Sequence, residues 1–376
     1  MGVLAGLRVV EFDGLGPVPH CGMLLADHGA DLVRIVRPGP AASERLTGSA
    51  VLHRGRPTLV LDLKAPEDRA RALALVAAAD ALMEGFRPGV MERLGLGPDE
   101  CRAVNPRLVY GRMTGWGQTG PLAARAGHDI DYIARSGALA AIGPAGGPPV
   151  PPLNLVGDYA AGSLFLAFGL LAGVLEARRT GRGRVVDAAI CDAVPPVMAL
   201  FHAGAATGTW SERRGANLLD GGAPFYRCYP CADGGHVAVG ALEPQFFREL
   251  MQGLELDPGA HEQMDEAGWP ALAAAIGARF LTRPRDAWAA HFRDRDACVA
   301  PVLTMTEARA DSHMVARGAF LPDGTPAPAP RFDGPAASPG SAASPGPAGT
   351  TDAETALARW RQRPLDNDVR GNRGEG

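Results

Sequence analysis

Residues 8–36 read RVVEFDGLGPVPHCGMLLADHGADLVRIV, in which two apolar, β-branched runs flank a turn and a helical segment. The runs at 8–11 and 31–36 predict buried strands, because Val and Ile fit a pleated, packed surface. Gly14 and Gly16 follow the first run, and Pro17 and Pro19 come where a dinucleotide-binding loop would continue its glycine pattern. A strand-to-helix turn with proline in the first helical turn is therefore the preferred interpretation, and it predicts a strand–helix–strand unit.

The same alternation continues along the first two-thirds of the chain. Strands are predicted at 58–62, 81–84, 108–112 and 184–188, and the helices between them include 66–79 and 159–179. This rhythm predicts an α/β fold, with a mostly parallel sheet that helices cover on both faces.

The amino-acid composition changes after about residue 203. Changes of this kind divide the chain into four predicted parts. Residues 1–203 form the large domain, and the Gly-rich, polar segment 204–224 is a linker. Residues 225–326 begin with a hairpin, continue into helices and form a smaller α+β domain. Residues 327–376 form a C-terminal segment in which 334–350 are mostly Pro, Ala, Ser and Gly, so we expect that stretch to be extended or disordered. A last helix is predicted at 351–361.

Charge and cysteine usage exclude several classes of protein. The formal net charge of the 376-residue chain is −4, which argues against a nucleic-acid binder that relies on neutralising phosphates. The six cysteines are scattered and the N-terminus lacks a secretory pattern, so we expect a reduced, cytoplasmic setting. Cys228 and Cys231 form a CxxC, but a zinc site needs a second pair of ligands, so two ordinary thiols and no metal are expected.

Residues 159–175 carry no charge and include Gly169 and Gly173. The stretch is shorter than the roughly 20 apolar residues that a membrane span needs. We therefore expect no membrane partner, but a helix buried in a large core or a subunit interface, where the glycines allow close backbone approach.

The residues that suggest chemistry lie between 111 and 158. Residues 111–121, GRMTGWGQTGP, form a Gly-rich loop of the kind that often lines a site. His128 follows Gly127 at the predicted start of a helix, although a lone histidine is more often a structural residue. Asp158 heads the apolar helix, where aspartate is a favoured N-cap. The positive helix end could also hold an oxyanion there.

A histidine and an aspartate together suit proton transfer at a carbon next to a thioester. A positioned base contributes about 10²–10⁴-fold, and a good donor to the enolate oxygen adds about 3–4 kcal/mol. Inversion then needs two acid/base groups, one on each face of the planar enolate, and His128 with Asp158 fits that need. Glu243 is the candidate carboxylate that sets the histidine tautomer, although it also suits an ordinary helix start.

Six motifs resemble the family III CoA-transferases (CaiB/BaiF), and within them the α-methylacyl-CoA racemase branch. They are GLRVVE at 6–11, GADLVRI at 29–35, TGWGQTGP at 114–121, GHDIDY at 127–132, LNLVGD at 153–158 and GRVVDAA at 183–189. The resemblance covers roughly residues 4–332. It implies an interlocked homodimer with a large Rossmann-like domain, to which the C-terminal segment returns, and a site completed by the small domain of the other subunit.

The resemblance also implies roles for individual residues. His128 and Asp158 match the racemase acid/base pair, and Glu243 matches the carboxylate that supports the histidine. No cofactor is expected, because CoA is part of the acyl-CoA thioester substrate. The positions that match the CoA site are Arg37, Leu61, Asp62, Leu63, Lys64, Gly85, Phe86, Arg87, Arg93, Gly127, Asp129, Ile130, Asp131 and Tyr132.

Physical chemistry supports part of this assignment, since guanidinium groups suit phosphates. Lys64 is the single lysine of the chain, which is either a hint of function or a remnant of compositional drift. Two alternatives stay open. A CoA-transferase would use Asp158 as a covalent acyl carrier, and a silent CoA-binding protein would use neither acid/base group.

Overall fold

The structure is a computed structural model that describes residues 2–39, 49–333 and 349–362. The chain forms two compact units. The first comprises Met1–Ser136, Leu153–Val197 and Gly318–Gly376, and the second comprises Gly137–Pro152 and Met198–Arg317.

These bounds differ from the predicted domains in three segments, and the predicted linker 204–224 belongs to the second unit. Residues 198–203 belong to the second unit and not to the large domain. Residues 137–152 belong to the second unit, because the Arg214 guanidinium donates to the carbonyls of Ala140 (2.8 Å) and Gly147 (2.5 Å). Residues 318–326 belong to the first unit, where the Pro326 carbonyl accepts a 2.7 Å hydrogen bond from Arg54.

The first unit is built on a six-stranded parallel sheet, as the alternating sequence predicted. Its strands, numbered along the chain, are β1 (Arg8–Phe12), β2 (Asp31–Val36), β3 (Thr58–Val60), β4 (Ala81–Glu84), β5 (Val109–Thr114) and β6 (Val185–Ala189). Their order is β3-β2-β1-β4-β5-β6. Val10 of β1 pairs with Val33 and with Leu82, and all three side chains are fully buried.

This strand order reverses direction between β1 and β4. In parallel sheets of this kind, ligands bind in the crevice outside the carboxyl ends of the strands at such a switch point. The segments after β1, β4 and β5 therefore surround the position where a site is expected.

Helices cover both faces of the sheet. Those of the first unit are α1 (Pro17–Asp27), α2 (Ser49–Leu52), α3 (Pro66–Ala78), α4 (Val90–Arg93), α5 (Pro98–Val104), α6 (Asp129–Arg135), α8 (Leu164–Thr180), α9 (Ile190–Val197) and α16 (Ala353–Gln362), with a π-helix at Leu155–Ser163. The α1 helix begins at Pro17, and its N-cap Gly16 has φ +64°, so the predicted strand-to-helix turn is confirmed. The predicted last helix corresponds to α16. Most of residues 334–350 lie outside the described residues.

The long apolar helix starts earlier than predicted. It runs from Leu155 to Thr180, first as a π-helix and then as α8. A Cβ on Gly169 would lie 2.6 Å from Val186 Cγ1, and one on Gly173 would lie 2.7 Å from Val109 Cγ1. These glycines therefore let the helix backbone pack closely against the side chains of Val186 and Val109 on the sheet.

By length and composition, Leu155–Thr180 could also cross a membrane. Within the protein, 44% of its most apolar window is buried. The bent pair α9 and α10 (Ala199–Thr207) passes the same test together. Core helices of soluble proteins share these properties, and α8 lies on the sheet through β5 and β6. The absence of a membrane partner remains a prediction.

The second unit is a smaller α+β body. Its antiparallel strands β7 (Tyr226–Pro230), β8 (His236–Gly240) and β9 (Val299–Pro301) stand in the order β7-β8-β9, so the predicted hairpin is confirmed. Its helices are α7 (Ala138–Ala141), α10, α11 (Pro244–Gly253), α12 (Trp269–Phe280), α13 (Arg285–Phe292), α14 (Met305–Ala310) and α15 (Ser312–Arg317). The α10 helix continues to Thr207, so the first four residues of the predicted linker are helical.

Candidate active site

A cavity of about 430 Å³ lies at the carboxyl ends of β1, β4 and β5, at the switch point of the sheet. All of its lining residues belong to the first unit. They are Asp13, Gly14, Leu15, Gly16, Pro17, Val18, Gly85, Phe86, Arg87, Pro88, Met113, Thr114, Gly115, Trp116, Ala123, Arg125, Ala126, Gly127, His128, Tyr132, Asp158 and Ile190. The cavity therefore brings His128 and Asp158, the two predicted acid/base residues, into one site.

His128 is the N-cap of α6, and its side chain is exposed to the cavity. Its backbone N–H donates to Asp131 Oδ2 at 2.9 Å, which fixes the start of the helix. The preceding Gly127 is required by space, because a Cβ there would lie 2.7 Å from the Tyr132 ring. Glycine followed by histidine at a helix start thus presents an imidazole to the cavity.

Asp158 lies inside the π-helix, whose N-cap is Asn154. The expectation that Asp158 caps the helix is therefore wrong, because the helix begins three residues before it, at Leu155. Asn154 Nδ2 donates to Asp158 Oδ2 at 3.2 Å. Burial raises the pKa of the Asp158 carboxyl above its ordinary value, and so does Asp129, whereas Asn154 and His128 act in the opposite direction.

The backbone N–H of Asp158 is occupied. It donates to Asp129 Oδ2 at 2.6 Å, so it is not a donor for a substrate oxygen. The expectation that position 158 supplies both a carboxylate and an oxyanion donor is wrong for this reason. The N–H groups of Asp129 and Ile130, the first two residues of α6, have no acceptor within the helix, whereas the Asp131 N–H donates to the His128 carbonyl at 2.9 Å.

Aromatic and glycine residues form the wall between β5 and α6. Tyr132 donates its hydroxyl hydrogen to the Gly127 carbonyl at 2.5 Å and meets Trp116 edge to face, with 4.8 Å between ring centroids. A Cβ on Gly115 would lie 1.9 Å from Tyr132 Cζ. A Cβ on Gly16 would lie 2.7 Å from Asp158 Oδ2. Both glycines thus allow a site side chain to approach the backbone closely.

Five of the residues assigned to CoA line the cavity: Gly85, Phe86, Arg87, Gly127 and Tyr132. The cavity lining does not include the other nine. Arg37, Lys64 and Arg93 are exposed, and Leu61 is a core residue with 2% exposure. Asp62 and Leu63 lie in the turn between β3 and α3, and Asp129, Ile130 and Asp131 form the first turn of α6. Their roles toward CoA stay predictions.

An ion-pair network that is buried at Glu84 and Arg112 and exposed at Glu92 lies next to the segment that carries Phe86 and Arg87. Glu84, the last residue of β4, accepts a 2.7 Å hydrogen bond from the Phe86 N–H. Arg112 approaches Glu84 Oε1 at 3.4 Å and Glu92 Oε1 at 2.8 Å. Burial raises the pKa of Glu84 to about 7, against the opposing effects of the Phe86 N–H and Arg112. The network fixes one wall of the cavity and was not foreseen from the sequence.

Glu243 belongs to the second unit, where it is the exposed N-cap of α11. Its carbonyl accepts from the Phe247 N–H at 3.0 Å. These contacts describe a helix start, and the support of His128 by Glu243 stays a prediction from the resemblance.

The Gly-rich loop that was predicted to line a site does so through Met113, Thr114, Gly115 and Trp116. Cavity residues that were not singled out from the sequence include Asp13, Arg125 and Ile190. The signal for Asp13 was present, since it follows the carboxyl end of a predicted strand. Arg125 lies in an irregular segment without a recognisable pattern.

Within the described ranges, no group of three or more His, Cys, Asp or Glu side chains could hold a metal ion. Cys228 is exposed and Cys231 is buried, and both are free thiols. The expected absence of a metal and of a cofactor stays a prediction.

A sequence model of CoA-transferase family III matches residues 4–350. The chain belongs to CoA-transferase family III. An α-methylacyl-CoA racemase from Mus musculus is 43% identical over 330 residues, which are 88% of this chain and 85% of that protein. A succinyl-CoA–D-citramalate CoA-transferase from Chloroflexus aurantiacus is 32% identical over 336 residues, or 85% of this chain and 83% of that protein.

Family membership agrees with the fold. The crystal structure of a CAIB/BAIF family protein from Brucella suis superimposes with a TM-score of 0.79 at 24% identity. The match covers 96% of this chain and all of that chain (100%). The relatives of this chain include both a racemase and a transferase. The residues of the cavity must therefore indicate which of the two reactions this chain catalyses.

Proposed function

We propose that this chain is an α-methylacyl-CoA racemase, which interconverts the (R) and (S) forms of 2-methylacyl-CoA thioesters. The observation that carries the proposal is that His128 and Asp158 line one cavity. Similarity supports it, because the racemase from Mus musculus is more similar than the transferase from Chloroflexus aurantiacus, at 43% against 32% identity.

The proposed reaction is a proton exchange at the α-carbon. In one direction, neutral His128 takes the α-proton while protonated Asp158 delivers a proton to the opposite face of the enolate. In the other direction, ionised Asp158 is the base and protonated His128 is the acid. The raised pKa of Asp158 supports this role, since a carboxyl group that holds its proton nearer to neutral pH is a better general acid.

The enolate oxygen needs hydrogen-bond donors. We assign this role to the backbone N–H groups of Asp129 and Ile130, the first two residues of α6, which begins directly after His128. These two groups have no acceptor within the helix, and they lie at the positive end of the helix dipole. A donor aimed at a developing oxyanion contributes about 3–4 kcal/mol.

The CoA part of the substrate carries phosphates. Arg87 and Arg125 line the cavity and suit these groups, because guanidinium forms paired hydrogen bonds to phosphate. The apolar lining from Leu15, Phe86 and Ile190 suits the acyl part.

We further propose that the chain acts as a homodimer. Leu164, Phe168 and Leu175 of α8 are 50%, 73% and 70% exposed. Their spacing of four and seven residues places them on one helix face. Contiguous exposed apolar surface of this kind marks interaction sites, and a second copy of the chain is the partner that the family resemblance implies.

The test is incubation of one enantiomer of a 2-methylacyl-CoA with the enzyme in deuterated water, without an acceptor acid. The proposal predicts α-deuterium in the thioester and loss of optical purity. In a second incubation with an added carboxylic acid, transfer of CoA to that acid without α-deuterium would instead favour the transferase that uses Asp158 as acyl carrier. Neither reaction would favour a silent CoA-binding protein.

A further inference from the structure

The far end of the π-helix is tied to α1 by a part-buried hydrogen bond. His20 Nδ1 and Ser163 Oγ are 2.6 Å apart, and Ser163 has no exposed surface. Ser163 is the last residue of the π-helix that carries Asp158. The bond therefore fixes the segment five residues beyond the acid/base group.

The same imidazole also contacts the residue after Asp158. His20 and Tyr159 stack with 4.2 Å between ring centroids and an interplanar angle of 17°. Tyr159 and Ser163 are four residues apart, so one imidazole contacts two successive turns of the π-helix. Segments of π-helix are rare and are frequent at functional sites, and external contacts such as these compensate for their weaker internal packing.

The start of α1 lies against this part of the π-helix. A Cβ on Gly162 would lie 3.0 Å from Pro17 Cβ, so the backbone at Gly162 packs closely against the proline ring. Pro17 and Asp158 both line the cavity. A shift of the π-helix relative to α1 would therefore move the Asp158 carboxylate relative to the cavity.

The His20 ring is suited to a fixed structural contact. Burial lowers its pKa, Arg56 lowers it further, and Asp27 opposes both. A neutral imidazole has one donor and one acceptor nitrogen, and the Ser163 hydroxyl can complement either at Nδ1.

We propose that His20 is a positioning residue for Asp158, which acts through its hydrogen bond to Ser163 and its stack on Tyr159. The inference rests on the proposed racemase function, in which Asp158 must face one side of the substrate α-carbon. His20 itself is not among the residues that line the cavity, so it acts through Asp158 and is not a catalytic residue.

Four variants separate the two contacts. His20→Phe keeps an aromatic ring against Tyr159 and removes the hydrogen bond, and Ser163→Ala removes the same bond from the other side with a minimal change of volume. His20→Ala removes both contacts. His20→Asn restores a polar atom near the position of Nδ1. His28→Asn is the matched control, because it removes an exposed imidazole of the same unit that bonds to the Ala329 carbonyl at 3.0 Å.

Two measurements are made on each full-length variant. Racemisation kinetics give kcat and KM, and hydrogen–deuterium exchange of the peptide that covers 155–163 reports on the π-helix without requiring activity. For His20→Phe and Ser163→Ala we expect kcat to fall about 10–100-fold, since small misplacements of catalytic groups have such effects. KM should change less than about twofold, and amide exchange should rise about tenfold. His20→Asn should recover part of the kcat that His20→Ala loses.

Amide exchange at 155–163 equal to that of the wild type in both His20→Phe and Ser163→Ala would overturn the proposal. So would faster exchange with unchanged kcat. If the wild type does not racemise at all while exchange still rises in the variants, the proposed function fails and the His20 contact with the π-helix stands. If His20→Phe does not fold, Ser163→Ala alone decides the question.

Discussion

Asp129 Oδ2 accepts a 2.6 Å hydrogen bond from the backbone N–H of Asp158. The residue that follows His128 therefore holds the segment that carries the second acid/base group. Asp129 is 7% exposed. A Cβ on Gly157, the residue before Asp158, would lie 2.4 Å from Asp129 Oδ2. Burial raises the pKa of Asp129, and the N–H groups of Asp158 and Gly157 oppose that effect.

Asp129→Ala should lower kcat about 10–100-fold, because the π-helix loses its tie to the start of α6. Asp129→Asn should lower kcat less, since an amide oxygen can still accept the hydrogen bond. Racemisation kinetics of both variants test this order. Equal losses in the two variants would show that the carboxylate charge, and not the hydrogen bond, is what matters.

Gly115→Ala should impair substrate binding. A Cβ at this position would lie 1.9 Å from Tyr132 Cζ, so the ring must move into the cavity. We expect KM to rise about tenfold, which corresponds to about 1.4 kcal/mol. Gly277→Ala is the control, because its Cβ would meet only the Tyr229 ring, at 3.6 Å. An unchanged KM in Gly115→Ala would contradict a role of the Tyr132 ring in shaping the substrate site.

Arg87→Met should raise KM for acyl-CoA about 10–100-fold, because a hydrogen bond to a charged group contributes about 1.5–3 kcal/mol. The methionine keeps the apolar stem and removes the guanidinium. Arg102→Met, at an exposed position of α5, is the matched control. Equal KM values for Arg87→Met and the control would contradict a phosphate contact at Arg87.

The stability of the protein should depend on pH through Glu11. Burial raises the pKa of Glu11 from 4.5 to about 7, although Arg56 opposes the shift. The native state therefore binds more protons than the unfolded state between these values. The stabilisation from Glu11 is complete below pH 4.5 and is lost as pH rises through about 7.

Glu11→Gln cannot take up this proton. The free energy of unfolding of the wild type should therefore fall relative to that of Glu11→Gln by about 2 kcal/mol between pH 5 and pH 7.5. Urea denaturation at both pH values measures the difference. Parallel pH dependence in the two proteins would contradict a raised pKa at Glu11.

The sheet could be predicted from the sequence because its four central strands, β1, β2, β4 and β5, are short, mostly apolar runs that are buried along almost their whole length. The edge strands β3 and β6 are partly exposed. The bounds of β2 and β4 agree with the prediction, whereas β5 continues to Thr114 because it pairs with Ala189 of β6. Register between distant strands sets that end, and no local pattern shows it.

The site could be predicted only in part. His128 and Asp158 follow from the motifs, but the π-helix does not, because a π-helix has no sequence pattern of its own. Aspartate is favoured both at an N-cap and in a first helical turn, so the helix start was misplaced. The contacts of Asp129 and His20 with the π-helix join residues 29 and 143 positions apart in the sequence, and only tertiary packing brings them together.

The most direct test of the two-base mechanism follows each enantiomer separately in deuterated water with His128→Ala and Asp158→Asn. The wild type should invert both enantiomers and introduce α-deuterium into each. Each variant should lose inversion at least about 10²-fold, the lower limit for a positioned acid/base group, while α-deuterium exchange with retention survives for at most one enantiomer. Inversion by either variant at the wild-type rate would contradict the assignment of that residue as a catalytic base.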